Sequence, residues 1–198
     1  MNRTLITSII STILFFTSAM SGHVSYAAQL DDVTLPDRVR LDGTDTELQI
    51  NGLGYRTKFV FKIYVGALYT ENKVTTRDEV QALRGPKRVV MHMVYDEVSA
   101  DKMASAWRDG FEDNNSDEKL AVLQDRLQVL IGYFDTMKAG DVVLLDYIPG
   151  TGTRVTIRGE HKGDIAGEDF YAALLDVWLG EEPADDDLKD AMLGIVDQ

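Results

Sequence analysis

Apolar side chains recur at alternate positions in several segments of the first half of the chain, which is the spacing typical of β-strands. Between residues 59 and 66 the odd-numbered positions are strongly apolar and the even-numbered ones mixed, as in a half-buried strand. Asn51-Gly52 is a strong turn signal and predicts the end of a short strand. The pattern predicts strands over residues 33–41, 47–50, 59–66 and 88–95, the first at a sheet edge because it contains Pro36. A short helix is predicted over residues 76–83.

The apolar spacing changes to three and four residues in the middle of the chain, which predicts two helices. Ser99 is a suitable N-cap for the first, whose inward face carries Met103, Trp107 and Phe111. Ser116 caps the second, which is predicted to run to Gly140. Its apolar stripe consists of Leu120, Leu123, Leu127, Leu130, Phe134 and Met137.

The last third of the chain returns to strands and then to helices. Residues 142–148 and 154–157 flank a Pro-Gly-Thr-Gly turn and predict a hairpin. A helix with Phe170, Leu174, Val177 and Trp178 inward follows and stops at Gly180, and an acidic helix is predicted over 184–193. This order of elements predicts an α+β fold, with helices packed on one face of an antiparallel sheet.

The N-terminal segment has the features of a secretory signal peptide. Arg3 precedes an apolar run over residues 5–20, which is short for a membrane span, and Ser25-Tyr26-Ala27 is a small-x-small end. Cleavage after Ala27, or one residue later, is expected, so that residues 1–27 form the signal peptide and 28–198 a single domain. A retained N-terminal anchor is the alternative. Export of a chain without cysteine favours a periplasmic location.

The formal net charge of −13 argues against nucleic acid and against an anionic membrane surface as the main partner. No stable membrane insertion is expected once the signal peptide is removed. The lack of cysteine excludes iron–sulfur clusters, thiolate zinc sites and a cysteine nucleophile.

One segment departs from the acidic character of the chain. Residues 48–70 contain three basic side chains and no acid. If the strand is regular from Tyr55 onward, its period of two places Arg56, Lys58, Lys62 and Tyr64 on one face. An arginine fork beside a phenol suits a carboxylate ligand. The alternative is a surface patch that pairs with the acidic helices.

Four further residues are candidates for chemistry, each with a simpler structural explanation. His92 and His161 are the candidate haem ligands, although ordinary strand and loop histidines are the more common case. Asn114 and Asn115 follow the helix that carries Trp107, and helix termination alone accounts for them.

An ordered set of motifs resembles the bacterial chalcone-isomerase-like family over nearly the whole chain after the leader. The motifs are the segments at 51–56, 62–69, 146–153, 163–170 and 178–183, followed by Leu188-Lys189 and Leu193-Gly194. The resemblance implies an antiparallel sheet, a helical layer and a ligand cleft between them. Plant members of this family are either chalcone isomerases or fatty-acid-binding proteins.

The resemblance also implies roles for particular residues. Arg56 matches the family arginine that orients a substrate oxyanion or pairs with a fatty-acid carboxylate, and Tyr64 matches the position of a catalytic threonine in the isomerases. Asn114, or less closely Asn115, matches the active-site asparagine. Trp107 lies nearest the position where the isomerases have a catalytic tyrosine, so their hydroxyl network is incomplete here.

The sequence therefore predicts a non-catalytic periplasmic binder of a small amphipathic carboxylate, most simply a fatty acid, without a cofactor. Arg56, Tyr64, Asn114 and Trp107 are the expected ligand-binding residues, and the helix carrying the stripe from Leu120 to Met137 is expected to cover the apolar tail. The alternatives are an isomerase or lyase acting on a phenolic enone, with Arg56, Tyr64 and Asn114 as catalytic residues, and a haem or tetrapyrrole carrier. Protein partners are left open.

Overall fold

The computed structural model describes residues 27–195. The predicted signal peptide, except for its last residue, lies outside the described residues and stays a prediction, as does the cleavage after Ala27.

This part of the chain forms eleven strands and five helices. The strands are β1 (Ala27–Leu30), β2 (Val33–Pro36), β3 (Arg38–Arg40), β4 (Glu47–Lys58), β5 (Phe61–Thr70), β6 (Lys87–Met93), β7 (Glu97–Val98), β8 (Met137–Lys138), β9 (Val142–Ile148), β10 (Gly152–Ile157) and β11 (Glu160–Ile165). The helices are α1 (Arg77–Ala82), α2 (Ala100–Glu112), α3 (Asp117–Gly132), α4 (Glu168–Leu179) and α5 (Asp186–Met192).

Seven strands form one antiparallel sheet in the order β11-β10-β9-β6-β5-β4-β3. The larger apolar cluster lies between this sheet and the helices and includes Trp107, Phe111 and Trp178. A smaller cluster on the opposite face joins Val65 and Tyr69 to the separate β1–β2 hairpin. The predicted α+β fold, with helices on one face of an antiparallel sheet, is confirmed.

The helix starts agree with the capping residues. The side chains of Thr76, Ser99 and Ser116 accept backbone N–H bonds at the starts of α1, α2 and α3, and Gly180 ends α4 as predicted. No helix in residues 27–195 is long and apolar enough to cross a membrane.

The turn predicted at Asn51-Gly52 is wrong, because β4 continues through it with an irregularity in its pairing to β5. Asn51 is buried, and its amide donates to the carbonyls of Val74 and Met192 while its oxygen accepts from Val74 N–H. These tertiary hydrogen bonds occupy the side-chain amide of Asn51, which would otherwise be available to stabilise a turn. A side chain at Gly52 would overlap the backbone of Ala191, so glycine is required by the close approach of α5.

Three other boundaries differ from the prediction. The strand expected over 33–41 is divided between β2 and β3, which belong to different sheets. The strand expected from Phe59 begins at Phe61, because Phe59 and Val60 form the β4–β5 turn. α3 stops at Gly132 rather than Gly140, since Met137 pairs with Val98 in a short two-stranded sheet.

Candidate functional site

A cavity of about 650 Å³ lies between the sheet and the helices, at the end of β4, β5 and β6 nearest the β4–β5 turn. Its volume falls within the ~300–1,000 Å³ usual for small-molecule sites. The lining comes from these strands, from the inward face of α2, from the end of α4 and from the segment before α5. Its apolar side chains include Ile63, Met91, Val98, Met103, Val177 and Pro183.

Charged side chains in the lining lie at the rim, with one exception. Lys58, Glu97, Lys102, Asp109, Asp113 and Glu182 are all exposed, whereas Arg56 is half-buried. The guanidinium of Arg56 donates to the carbonyl of Thr57 and forms no ion pair within residues 27–195. Seven other arginines of that range do pair with carboxylates: Arg38, Arg77, Arg84, Arg88, Arg126, Arg154 and Arg158. Arg56 is thus a half-buried cation that forms no ion pair in the described part of the chain.

Tyr64 lies directly across from Arg56 in the register of β4 and β5. Its hydroxyl oxygen accepts a hydrogen bond from Trp178 Nε1 at 2.8 Å. Tyr64 is 7% exposed, and burial raises the pKa of its hydroxyl to about 12. The phenol is therefore neutral at physiological pH, and its hydroxyl donates no hydrogen bond to another residue of the described range.

Trp107 forms part of the floor of the cavity together with Trp178. The two indole rings meet edge to face with centroids 5.7 Å apart, and Phe134 packs on Trp107 at 5.3 Å. The Nε1 of Trp107 is buried and has no hydrogen-bond partner in the described part of the chain. A buried N–H without an acceptor costs stability.

The position of α5 is fixed by Asp185, its N-cap. One oxygen of this carboxylate accepts from Leu188 N–H at 2.9 Å and the other from Thr57 N–H at 2.8 Å, next to Arg56. The glycines of β4 and β5 at 52, 54 and 66 let α5 lie directly on these strands. The chain thereby brings Ala184, just before α5, to the cavity wall.

Asn114 does not line the cavity. Its amide nitrogen donates to the carbonyls of Gly110 and Glu182, and its oxygen accepts from Glu182 N–H. Asn115 donates to the carbonyl of Phe111. The structure thus brings Arg56, Tyr64 and Trp107 together and leaves Asn114 as a clamp between the end of α2 and the segment after α4.

Two expectations about the surroundings of Arg56 are wrong. Lys62 lies away from the cavity, where it donates to Asp31 at 2.8 Å and covers the ring of Tyr55. The pairing of β4 with β5 skips Ile63, so the alternation reverses between Lys62 and Tyr64. The helix that covers the cavity is α2 and not α3, which packs on α2 and β11.

Neither candidate haem ligand lies in the cavity lining. His161 is not in a loop but in the edge strand β11, where its Nε2 lies 2.9 Å from Asp164. His92 lies on β6 between Val65 and Val142, and partial burial lowers its pKa. The described residues hold no cluster of three or more His, Cys, Asp or Glu side chains suited to a metal ion.

Comparison with known proteins shows the class to which this fold and cavity belong. The model of the chalcone isomerase-like family matches residues 27–194, so the chain belongs to that family. Among solved structures, it is similar to the crystal structure of a fatty-acid binding protein from Arabidopsis thaliana, with a TM-score of 0.62 and 14% identity over 85% of this chain and 96% of that one. At this identity the likeness shows the fold. No curated protein sequence matches the chain significantly.

Sequence reasoning missed the contributions of Trp178 and Asp185 to the site. Trp178 was predicted only as an inward residue of α4, and its bond to Tyr64 joins positions 114 residues apart. Asp185 lies in a run of acidic residues whose pattern predicts only the solvent-exposed start of a helix. No local pattern distinguishes it from its acidic neighbours.

Proposed function

We propose that this protein binds a fatty acid or a similar amphipathic carboxylate, without turnover, in the cavity between the sheet and α2. The observation that carries the proposal is the half-buried Arg56, which has no carboxylate partner within residues 27–195 and lies on the wall of an apolar, aromatic cavity. The structural neighbour described as a fatty-acid binding protein supports the same class of ligand.

The polar end of the ligand would lie against Arg56 and Tyr64. A guanidinium binds a carboxylate with two parallel, charge-assisted hydrogen bonds. The neutral Tyr64 hydroxyl already accepts from Trp178 and has its own proton left for a ligand oxygen.

The apolar end of the ligand would lie among the aromatic and aliphatic side chains of the lining. Met91, Met103 and Trp178 are buried members of the main apolar cluster and also line the cavity. Methionine side chains adapt to ligands of different shape. Such a lining suits a flexible hydrocarbon tail, and α2 takes the covering role.

Binding is favoured over isomerisation by the position of Asn114. Its amide is engaged with the backbone of Gly110 and Glu182 and does not line the cavity, so it is not available to a substrate. Isomerisation depends on positioned donors around the reacting oxygen. A periplasmic location, after removal of residues 1–27, is part of the proposal and rests on the sequence of the leader.

The test compares ligands that differ only in the head group. Palmitate and hexadecanol would be titrated into wild type, Arg56→Ala and Arg108→Ala, with Arg108 an exposed control on α2 outside the cavity. A hydrogen bond to a charged group contributes about 1.5–3 kcal/mol, so Arg56→Ala should weaken palmitate binding by about tenfold to a hundredfold.

Two results define the outcome. Arg56→Ala should erase the preference for palmitate over hexadecanol, while Arg108→Ala should keep it. Equal palmitate affinity in wild type and Arg56→Ala would show that the carboxylate does not lie at Arg56, and the proposed function would fail.

A further inference from the structure

The β4–β5 turn presents an apolar tip at the mouth of the cavity. Phe59 and Val60 are 89% and 84% exposed, and Phe61 is 51% exposed with its ring edge on Tyr95. Phe59 and Phe61 also line the cavity, so the tip and the entrance are continuous. We call residues 58–62 the apolar tip.

The residues of the apolar tip are not those that its backbone conformation favours. Lys58 pairs with Phe61, so the turn has two residues, and the first of them, Phe59, has a φ of +58°. Glycine, asparagine or aspartate is favoured at such positions, because a side chain there crowds its own backbone. A bulky aromatic residue at this point costs stability and gains almost no burial. Departures from local rules of this kind are expected where a residue serves binding.

The charge of the apolar tip differs from that of the whole protein. Lys58 and Lys62 flank the three apolar residues, and no acid occurs between residues 48 and 70. Lys58 forms no ion pair among the described residues, whereas Lys62 is partly neutralised by Asp31. Charges more than about 8 Å apart in water are screened at physiological salt, so the tip presents its own positive charge despite the net charge of −13.

We propose that the apolar tip docks on the surface of a phospholipid bilayer that contains anionic lipid. Phe59 and Val60 enter the headgroup region, Lys58 contacts lipid phosphates, and the cavity mouth then faces the membrane. Exposed aromatic side chains flanked by lysines are the chemistry that membrane interfaces favour. The acidic rim formed by Asp109, Asp113 and Glu182 keeps the α2 side away from the bilayer, so contact is transient and made through the tip. Exchange of ligand with the bilayer rests on the proposed function, but the docking itself does not.

The test measures binding to vesicles made of equal parts phosphatidylcholine and phosphatidylglycerol, by flotation of the purified protein from which the predicted leader has been cleaved. The key variant is Val60→Asp, because Val60 is exposed and does not line the cavity. Its matched control is Val122→Asp, which puts the same charge at a residue of α3 that is 68% exposed. Mass spectrometry confirms that wild type and all variants start at the same residue, because a retained apolar run over residues 5–20 would bind vesicles by itself and hide a difference at the tip.

Val60→Asp should lower vesicle affinity by about tenfold or more, and Val122→Asp should leave it within about twofold. Phe59→Gly should also weaken vesicle binding, with thermal stability unchanged or raised because the backbone strain at a positive φ is relieved. Loss of stability in Phe59→Gly would instead show that Phe59 is kept for folding and would overturn the inference.

Palmitate affinity in the absence of vesicles separates this inference from the proposed function. It should be the same in Val60→Asp as in wild type. Wild type that fails to float, or equal flotation of wild type and Val60→Asp, overturns the docking even if palmitate binds. A concentration-dependent dimer without vesicles, lost in Val60→Asp, would identify a second copy of this chain as the occupant and also overturn it.

Discussion

Substitution of Tyr64 by phenylalanine isolates the hydrogen bond at the centre of the site. The change removes one oxygen and leaves Trp178 Nε1, on a residue that is 1% exposed, without the acceptor it has at 2.8 Å. A buried donor without a partner costs about 1–3 kcal/mol, and the ring of phenylalanine fills the same space. The free energy of unfolding should therefore fall by about 1–3 kcal/mol, which corresponds to roughly 2–10 °C in Tm for a chain of this size.

Urea unfolding, followed by tryptophan fluorescence, would measure this change, and an unchanged m-value would show that the same surface is exposed. Tyr55→Phe is the matched control, because its hydroxyl donates to Asp31 at the surface and should cost less than about 0.5 kcal/mol. A loss below that value in Tyr64→Phe would refute the reasoning. It would mean that another acceptor reaches Trp178, so that the Tyr64 hydroxyl is not held in the orientation proposed for ligand binding.

Three further predictions concern the fold and its pH dependence. Gly52→Ala should lower the free energy of unfolding by several kcal/mol, because the new methyl group overlaps α5. Gly132→Ala has open space around it and should raise the free energy of unfolding by up to about 1 kcal/mol. Urea unfolding of the two variants measures both changes. Arg88→Met leaves the buried Asp146 carboxylate unpaired and should cost about 3–5 kcal/mol, and adding Asp146→Leu should recover most of that loss in a double-mutant cycle. Burial raises the pKa of Tyr64 to about 12 in the folded state. The neutral hydroxyl therefore makes its full contribution to the free energy of unfolding below pH 10, and this contribution is lost as the pH rises toward 12. The difference in free energy of unfolding between wild type and Tyr64→Phe should shrink over that window.

The helices could be predicted from the sequence because their signals are local. Ser99 and Ser116 cap α2 and α3 in the structure as in the pattern, and the residues facing inward from α2 are those at its apolar spacing. The end of α3 was misjudged because Phe134 and Met137 are buried beyond it, so the apolar stripe continues after the helix has stopped.

The site could be predicted only in part, because its geometry depends on strand pairing. Arg56 and Tyr64 were expected together on one strand face and instead lie opposite each other on neighbouring strands. Lys62 lies on the opposite face of the sheet because the pairing of β4 with β5 skips Ile63. The pattern of a single strand does not reveal such a skip. Asn51-Gly52 has turn chemistry, but three buried hydrogen bonds to distant segments keep it in the strand.

The most direct test of ligand binding is native mass spectrometry of the protein isolated from the cells that make it, with an absorbance scan of the same sample. The account predicts extra mass equal to a fatty acid, lost on denaturation, and no Soret band. It also predicts that added palmitate binds one to one and that Arg56→Ala loses it. A bare protein whose mass does not change when palmitate is added would contradict the account, and extra mass with a Soret band would make haem the ligand instead.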